Sequence, residues 1–302
     1  MLTDAGLTEA KFHGWTGYRT SSCTEGGLVT ARKPSGGPAP SRDGPAGRVS
    51  GATGRTTSKF TALAYGIVCY LIFLGTFLYA IGFVGNLVVP KSIDSGPLVP
   101  LAEALAVDLL LLGLFAVQHS VMARPSFKRW WARLVPPPVE RSTYVLVSSL
   151  LLALLFWQWR AMPSPVWEVH QPVALTALWG LFGVGWVVAL LSTFLIDHFD
   201  LFGLRQVFLY ATGRPYSLPS FRTPALYRVV RHPIMLGFVI AFWATSVMSW
   251  GHLLFAVLTT GYILVGTRLE ERDLRGAHGG AYENYRQQVS MIVPWVAKGP
   301  KP

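Results

Sequence analysis

Cysteine, acidic residues and charge in general are scarce in this chain. Only two of its 302 residues are cysteine, Cys23 and Cys69. That excludes a disulfide framework and a cysteine-based metal site. Charged residues make up 14% of the sequence, where a soluble globular protein carries about 25%. Hydrophobic residues reach 51%, and they are gathered into blocks. Thr61 to Pro90 contains no charged side chain at all, and about 20 such residues already span a bilayer core. A cleaved secretory signal does not explain this run. It begins near residue 61, too far into the chain, and it is too long.

The blocks predict an all-α integral membrane protein with about six spans, or five if the last apolar run counts as one. The first span runs about Thr61 to Val89, the second Leu101 to Ala123, the third Ser142 to Trp159 and the fourth Val173 to Ile196. The last apolar run, Pro233 to Thr267, is too long for one ordinary helix. A turn at Ser249-Trp250-Gly251 would divide it into two antiparallel helices of about 17 residues each. Residues 1 to 58 are rich in Gly, Ser, Thr, Pro and Arg and bury too little to offset chain entropy, so they read as a disordered extension. The membrane domain is then 59–296. Trp130, Trp131, Trp157, Trp159 and Trp167 fall near span boundaries, where interfacial anchors belong.

The net charge of +11 would suggest nucleic acid in a soluble protein, but its distribution excludes that reading. Of 26 Lys and Arg, only Lys91 and Arg160 fall in the two loops assigned to the outside. The rest crowd the N-terminal tail, the second and fourth connections and the C-terminus. This asymmetry predicts that both termini are cytoplasmic, in a multi-pass protein of a bacterial inner membrane surrounded by lipid.

Polar residues in or near spans are where chemistry would sit, because each is costly in hydrocarbon. Asp108 is the deepest and reads either as a partner for an arginine or hydroxyl or as a functional group. Gln118-His119 lies one turn before Arg124, and His119 is a candidate base or pocket wall. Asp197-His198-Phe199-Asp200 closes the fourth span. Two carboxylates flanking a histidine suggest a metal site, but adjacent helical residues face different ways, so it reads as a helix-end hydrogen-bond cluster with no metal. Arg231-His232-Pro233 would open the last hairpin, with Pro233 suited to a first helical position. Glu270 and Glu271 would return to the same face about 30 residues later, with a salt bridge at the mouth as the plain structural reading.

Arg231-His232-Pro233-Ile234-Met235-Leu236-Gly237, then Glu270-Glu271, Tyr282, Tyr285 and Val293-Pro294, resembles the C-terminal core of the isoprenylcysteine carboxyl methyltransferase and phospholipid methyltransferase superfamily. Gln118 to Pro125 and His198 to Gln206 look like the branch containing bacterial methanethiol S-methyltransferases and the NnrU-like proteins. The resemblance spans about Ala64 to Trp295, and its core is 227–295. It implies an enzyme that moves a methyl group from S-adenosyl-L-methionine to a small thiol, making dimethyl sulfide from methanethiol. The cofactor site would comprise Arg231, His232, Pro233, Gly237, Glu270, Glu271, Tyr282 and Tyr285. Arg231 would grip the carboxylate, Glu270 or Glu271 the amino group or a ribose hydroxyl, and Tyr282 or Tyr285 the sulfonium. His119 and His198 would assist the thiol, which reacts as its thiolate.

The chain departs from many superfamily members at Met235, where they carry Tyr, and at His278, where they carry Phe. The first departure argues against a prenylcysteine or phospholipid acceptor. Three other readings remain open: a methyltransferase for another acceptor, such as a prenylcysteine carboxylate or a lipid amine; a sterol-reductase-like protein binding NADPH; and a non-catalytic membrane accessory protein.

Overall fold

The computed structural model describes residues 8–21, 24–32, 58–217 and 222–294. The chain divides into two units, 1–58 and 59–302. In the first, β1 (Thr8–Ser21) and β2 (Thr24–Arg32) form an antiparallel hairpin. The rest of the stretch expected to be disordered lies outside the described residues.

The second unit is helical: α1 (Lys59–Gly85), α2 (Leu101–Ala123), α3 (Pro125–Trp131), α4 (Pro137–Gln158), α5 (Pro172–Ile196), α6 (His198–Leu201), α7 (Leu204–Ala211), α8 (Pro233–Trp243), α9 (Trp250–His278) and α10 (Gly280–Gln288). Proline occupies the first turn of α3, α4, α5 and α8, where its missing N–H leaves no helical bond unmade. Side chains cap others: Gln171 accepts from the Ala174 amide and Ser249 from the His252 amide. Helices α1, α2, α4, α5 and α9 are long and apolar enough to cross a membrane. The protein is a multi-pass membrane protein. Its core is aromatic, with Phe83, Phe156, Trp159, Phe182, Trp186 and Phe255 packed together. Trp159, expected as an interfacial anchor, is buried there instead, its indole donating to the Ile93 carbonyl at 3.1 Å. Asp108 is also fully buried and accepts the Arg160 amide at 2.9 Å, so it partners the arginine segment.

The last apolar run does turn at Ser249-Trp250, but its two halves are unequal. Helix α8 has 11 residues and α9 has 29. At 1.5 Å per residue α8 rises only about 16 Å, half of a hydrocarbon core of about 30 Å. The missing half is extended chain. Strand β4 (Val247–Ser249) pairs antiparallel with β3 (Pro165–Glu168), and Val169 N–H donates to Ser246 at 2.9 Å. His252, fully buried, has Nε2 at 2.9 Å from the Phe242 carbonyl, a donor for one of the carbonyls freed where α8 stops. A backbone bond left unmade in hydrocarbon costs several kcal/mol, and these partners satisfy the chain where α8 stops. Trp243 reaches Thr260 at 2.9 Å, setting the end of α8 beside the middle of α9.

Helices α5 and α8 meet backbone to backbone. A Cβ on Gly185 would lie 2.6 Å from the Ala241 nitrogen, and one on Gly237 would lie 2.5 Å from the Ala189 nitrogen. Small residues at these four positions allow the close approach by which membrane helices associate.

Candidate active site

Two polar clusters stand toward the arginine-rich end of the bundle. The first closes the α8–α9 hairpin. The chain before α8 lies alongside the C-terminal segment: Arg231 N–H donates to Ser290 at 2.8 Å and His232 N–H to Met291 at 3.0 Å. This brings Arg231 against α9 and α10. Its Nε donates to Glu271 Oε1 at 2.6 Å and its Nη1 to the carbonyls of Arg286 and Val289. His232 Nε2 lies 3.3 Å from the same Glu271 oxygen, and its Nδ1 lies 3.6 Å from Glu270 Oε2. The side chains of Arg231, His232 and Glu271 are 9%, 7% and 6% exposed, whereas Glu270 is 54% exposed. One carboxylate therefore locks the motif together and its neighbour faces outward.

Tyrosines back this lock. The Tyr285 hydroxyl donates to the Tyr227 carbonyl at 2.5 Å, and the Tyr227 hydroxyl donates to the Ser192 carbonyl at 3.3 Å. Burial pushes the Tyr285 phenol up to about 12, with Arg231 opposing the shift. Burial raises Tyr227 as well, and the negative charge of Glu270 adds to it. Tyr282, buried beside Tyr285 with ring centroids 6.0 Å apart, is raised for the same first reason. All three stay neutral across physiological pH.

The second cluster joins α2, α4 and α9 around His119. The Tyr144 hydroxyl lies 2.9 Å from its Nε2 and 3.0 Å from its Nδ1. Ser148 Oγ lies 3.3 Å from Nδ1 and donates to Gln118 Oε1 at 3.3 Å. Phe115 stacks on the imidazole at 5.3 Å, and Tyr262, tied to Ser120 at 3.2 Å, stands edge-on at 6.5 Å. Tyr144 is close enough to both Tyr262 and Glu270 to interact with them electrostatically. Arg124 pairs with Asp273 at 3.1 Å, fastening α2 to α9 below the cluster. The two clusters are neighbours.

The family model described as NnrU protein matches residues 109–291, which include both clusters. The chain belongs to the NnrU protein family. The chain is 58% identical over 237 residues to the methanethiol S-methyltransferase of Mycobacterium tuberculosis, covering 78% of this chain and 97% of that one. It is 57% identical to methanethiol S-methyltransferase 2 of Bradyrhizobium diazoefficiens, covering 78% and 91%. Nurim of Rattus norvegicus is 34% identical over 180 residues, covering 57% and 68%. No solved structure matches.

In this NnrU-family chain the expected site residues are distributed unevenly. Arg231, His232, Pro233, Glu270, Glu271, Tyr282 and Tyr285 converge at the hairpin mouth, and His119 lies in the second cluster, linked to the first through Tyr144 and Glu270. Gly237 faces α5, where it permits the close crossing with Gly185. His198 lies in a cluster of its own. Its Nε2 meets the Tyr70 hydroxyl at 2.8 Å, its Nδ1 meets Thr193 Oγ1 at 2.7 Å, and Phe194 stacks on it at 4.0 Å. Burial lowers its pKa. Asp197 and Asp200 turn to Arg205 instead, at 3.6 and 3.0 Å. Among the described residues no group of three or more His, Cys, Asp or Glu could hold a metal ion. Tyr144, Ser148 and Tyr262 were not anticipated. The available signal was the i, i+4 spacing of Tyr144 and Ser148, which sets both on one face of α4.

Proposed function

We propose that this protein methylates methanethiol to dimethyl sulfide, with S-adenosyl-L-methionine as the methyl donor. The observation that carries the reading is the half-exposed Glu270 on the buried Arg231–Glu271–His232 lock, next to the His119 cluster. It occurs in a chain more than half identical, over most of its length, to proteins named for this reaction.

The donor set at the mouth fits an amino-acid zwitterion joined to a nucleoside. Glu270 offers an outward carboxylate to an ammonium or a ribose hydroxyl. Arg231 spends Nε and Nη1 on the protein itself, so an outside carboxylate would meet Nη2. His232 lines the mouth with a ring held by Glu271, and Tyr285, partly exposed, supplies an aromatic face suited to a cation with the buried Tyr282 packed behind it. Pro233 and Gly237 act through the start and seating of α8. When bound, the cofactor supplies an electrophilic methyl group on a sulfonium.

The chain contributes alignment and proton handling. Holding two reactants in line removes on the order of 7–11 kcal/mol of barrier in favourable cases. His119, held near the mouth but within the apolar bundle, is suited to take the thiol proton. His198, with both ring nitrogens engaged by Tyr70 and Thr193, supports the fold of that region and reaches the thiol only through it. A small apolar thiol would partition into lipid and enter sideways between helices. The membrane domain is assigned to 59–296 and its cofactor core to 227–295, with the arginine-rich end and both termini on the cytoplasmic side of a bacterial inner membrane.

The test is cofactor binding by titration calorimetry on the purified protein in detergent. Wild type should bind S-adenosyl-L-methionine, and Glu270→Ala should bind it at least about tenfold more weakly, the loss of one charge-assisted contact, at an unchanged melting temperature. Equal binding by both proteins would remove Glu270 from the site.

A further inference from the structure

The bonds from Gln118 to Met122 and from Ser148 to Gln118 have a direction, and it bears on the state of the His119 ring. Gln118 Nε2 donates to Met122 Sδ at 2.9 Å, so the amide oxygen of Gln118 is turned toward Ser148. That oxygen can only accept. The Ser148 hydroxyl must therefore donate its one proton to Gln118 Oε1, at 3.3 Å. Having done so, Ser148 Oγ can only accept from His119 Nδ1, 3.3 Å away. His119 then carries its proton on Nδ1 and its lone pair on Nε2, because the partner of one ring nitrogen sets the state of the other. The Tyr144 hydroxyl lies 2.9 Å from Nε2 and 3.0 Å from Nδ1, so it does not choose between the two nitrogens, and Ser148 alone does.

We infer that Ser148 and Gln118 are positioning residues that hold His119 as the Nδ1–H tautomer, so that Nε2 accepts the proton of the methyl-accepting thiol. The inference rests on the proposed reading of this protein as a thiol methyltransferase. The step balances without a further reactant. The S–H bond breaks, its proton goes to His119 Nε2 and its electron pair stays on sulfur. That pair forms the new S–CH3 bond as the donor's S–CH3 bond breaks, its electrons returning to the leaving sulfur. The imidazolium afterwards yields its proton to water at the mouth. Arg141 on α4 acts on the ring itself, Tyr144 and Tyr262 stand against it, and Glu140, Glu270 and Arg124 act on those two tyrosines. Wrong-tautomer variants of other histidine bases fail for this reason while their geometry is kept.

The experiment compares methanethiol with methaneselenol as acceptors, reading dimethyl sulfide and dimethyl selenide in the headspace over purified protein and S-adenosyl-L-methionine. A selenol ionises far more readily than a thiol and needs no base near neutral pH. Ser148→Ala should lower methanethiol turnover about 10- to 100-fold, within the range that general-base catalysis supplies, and selenol turnover far less. Its thiol activity should rise with pH beyond that of wild type. Ser148→Thr, which keeps the hydroxyl, should restore the thiol rate, and Gln118→Leu should repeat the split seen with Ser148→Ala. Equal losses on both acceptors in Ser148→Ala and Gln118→Leu, with unchanged melting temperatures, would overturn the inference. A folded wild type that makes no dimethyl sulfide would overturn the underlying reading and the inference with it.

Discussion

At the scale of single residues, the polar groups inside the apolar bundle fall into two kinds. Asp108 and His198 are consumed by the protein: one caps the chain at Arg160, the other ties α1 to the end of α5. Glu270 is half exposed, and His119 is bonded by Tyr144 and Ser148; the proposed function assigns these two to the ligands. The sequence distinguishes these kinds only in part. The charge pairing of Arg231 with Glu271 was legible, because opposite charges returning to one face of a hairpin have few other partners. The two histidines were indistinguishable, since each follows a polar residue near a span end. Only the structure reveals that Tyr70 and Thr193 occupy both nitrogens of His198. Tyr144 left little trace, because a tyrosine in a membrane helix is equally at home in lipid-facing, core and site positions.

His198 carries a consequence for stability. Burial lowers its pKa in the folded protein, against about 6.5 for an unfolded histidine. Between those two values the unfolded chain binds more protons, so stability rises with pH there. Its contribution is complete above about 6.5 and is lost as pH falls toward the folded value. Melting temperatures from pH 8 to 5 should therefore decline on the acid side in wild type. His198→Gln, which can still bond to Tyr70 and Thr193, should show a flatter acid limb. Parallel curves would show that His198 is not the group responsible.

At the scale of elements, helix limits were easiest to read where polarity changes sharply. The second span, Leu101 to Ala123, has the same limits in sequence and structure. The division of the last run was harder. Hydropathy is continuous from Pro233 to Thr267 and marks the turn but not the stop at Trp243. That stop depends on partners far away in sequence: β3 for the extended chain and His252 for a freed carbonyl. The position of α8 depends in turn on α5. A Cβ at Gly237 would meet the backbone of Ala189, which cannot move aside as a flexible side chain would. Gly237→Ala should lower stability by about 1–3 kcal/mol, the usual cost of overpacking, and weaken cofactor binding through the displaced His232. Gly75→Ala, in α1 with open space around it, should be neutral or stabilising by about 0.4–1 kcal/mol. Denaturant or thermal melting of the two variants side by side decides this.

At the scale of the whole molecule, the fold delivers an unusual combination. Five crossing helices keep the surroundings apolar, one half-length helix and one long helix leave a charged mouth at the arginine-rich end, and a C-terminal segment is clamped over it by Arg231. A soluble enzyme would have to recruit a volatile apolar thiol from water. Under the proposed function this bundle would receive it from lipid and meet it at the polar mouth of the α8–α9 hairpin. The arrangement accounts for the scarcity of charge within the spans and for the charged group at Arg231, Glu270 and Glu271 where the hairpin opens.

The central claim is methyl transfer to methanethiol at this mouth. Its most direct test is headspace analysis over cells of a host that makes no dimethyl sulfide, supplied with methanethiol and expressing either wild type or His232→Ala at equal abundance. The account predicts dimethyl sulfide from the wild type and a loss of about 100-fold or more in the variant, comparable to removing a group that orients the reacting pair. Dimethyl sulfide at equal rates from both would contradict the assigned site, and none from a folded wild type would contradict the reaction itself.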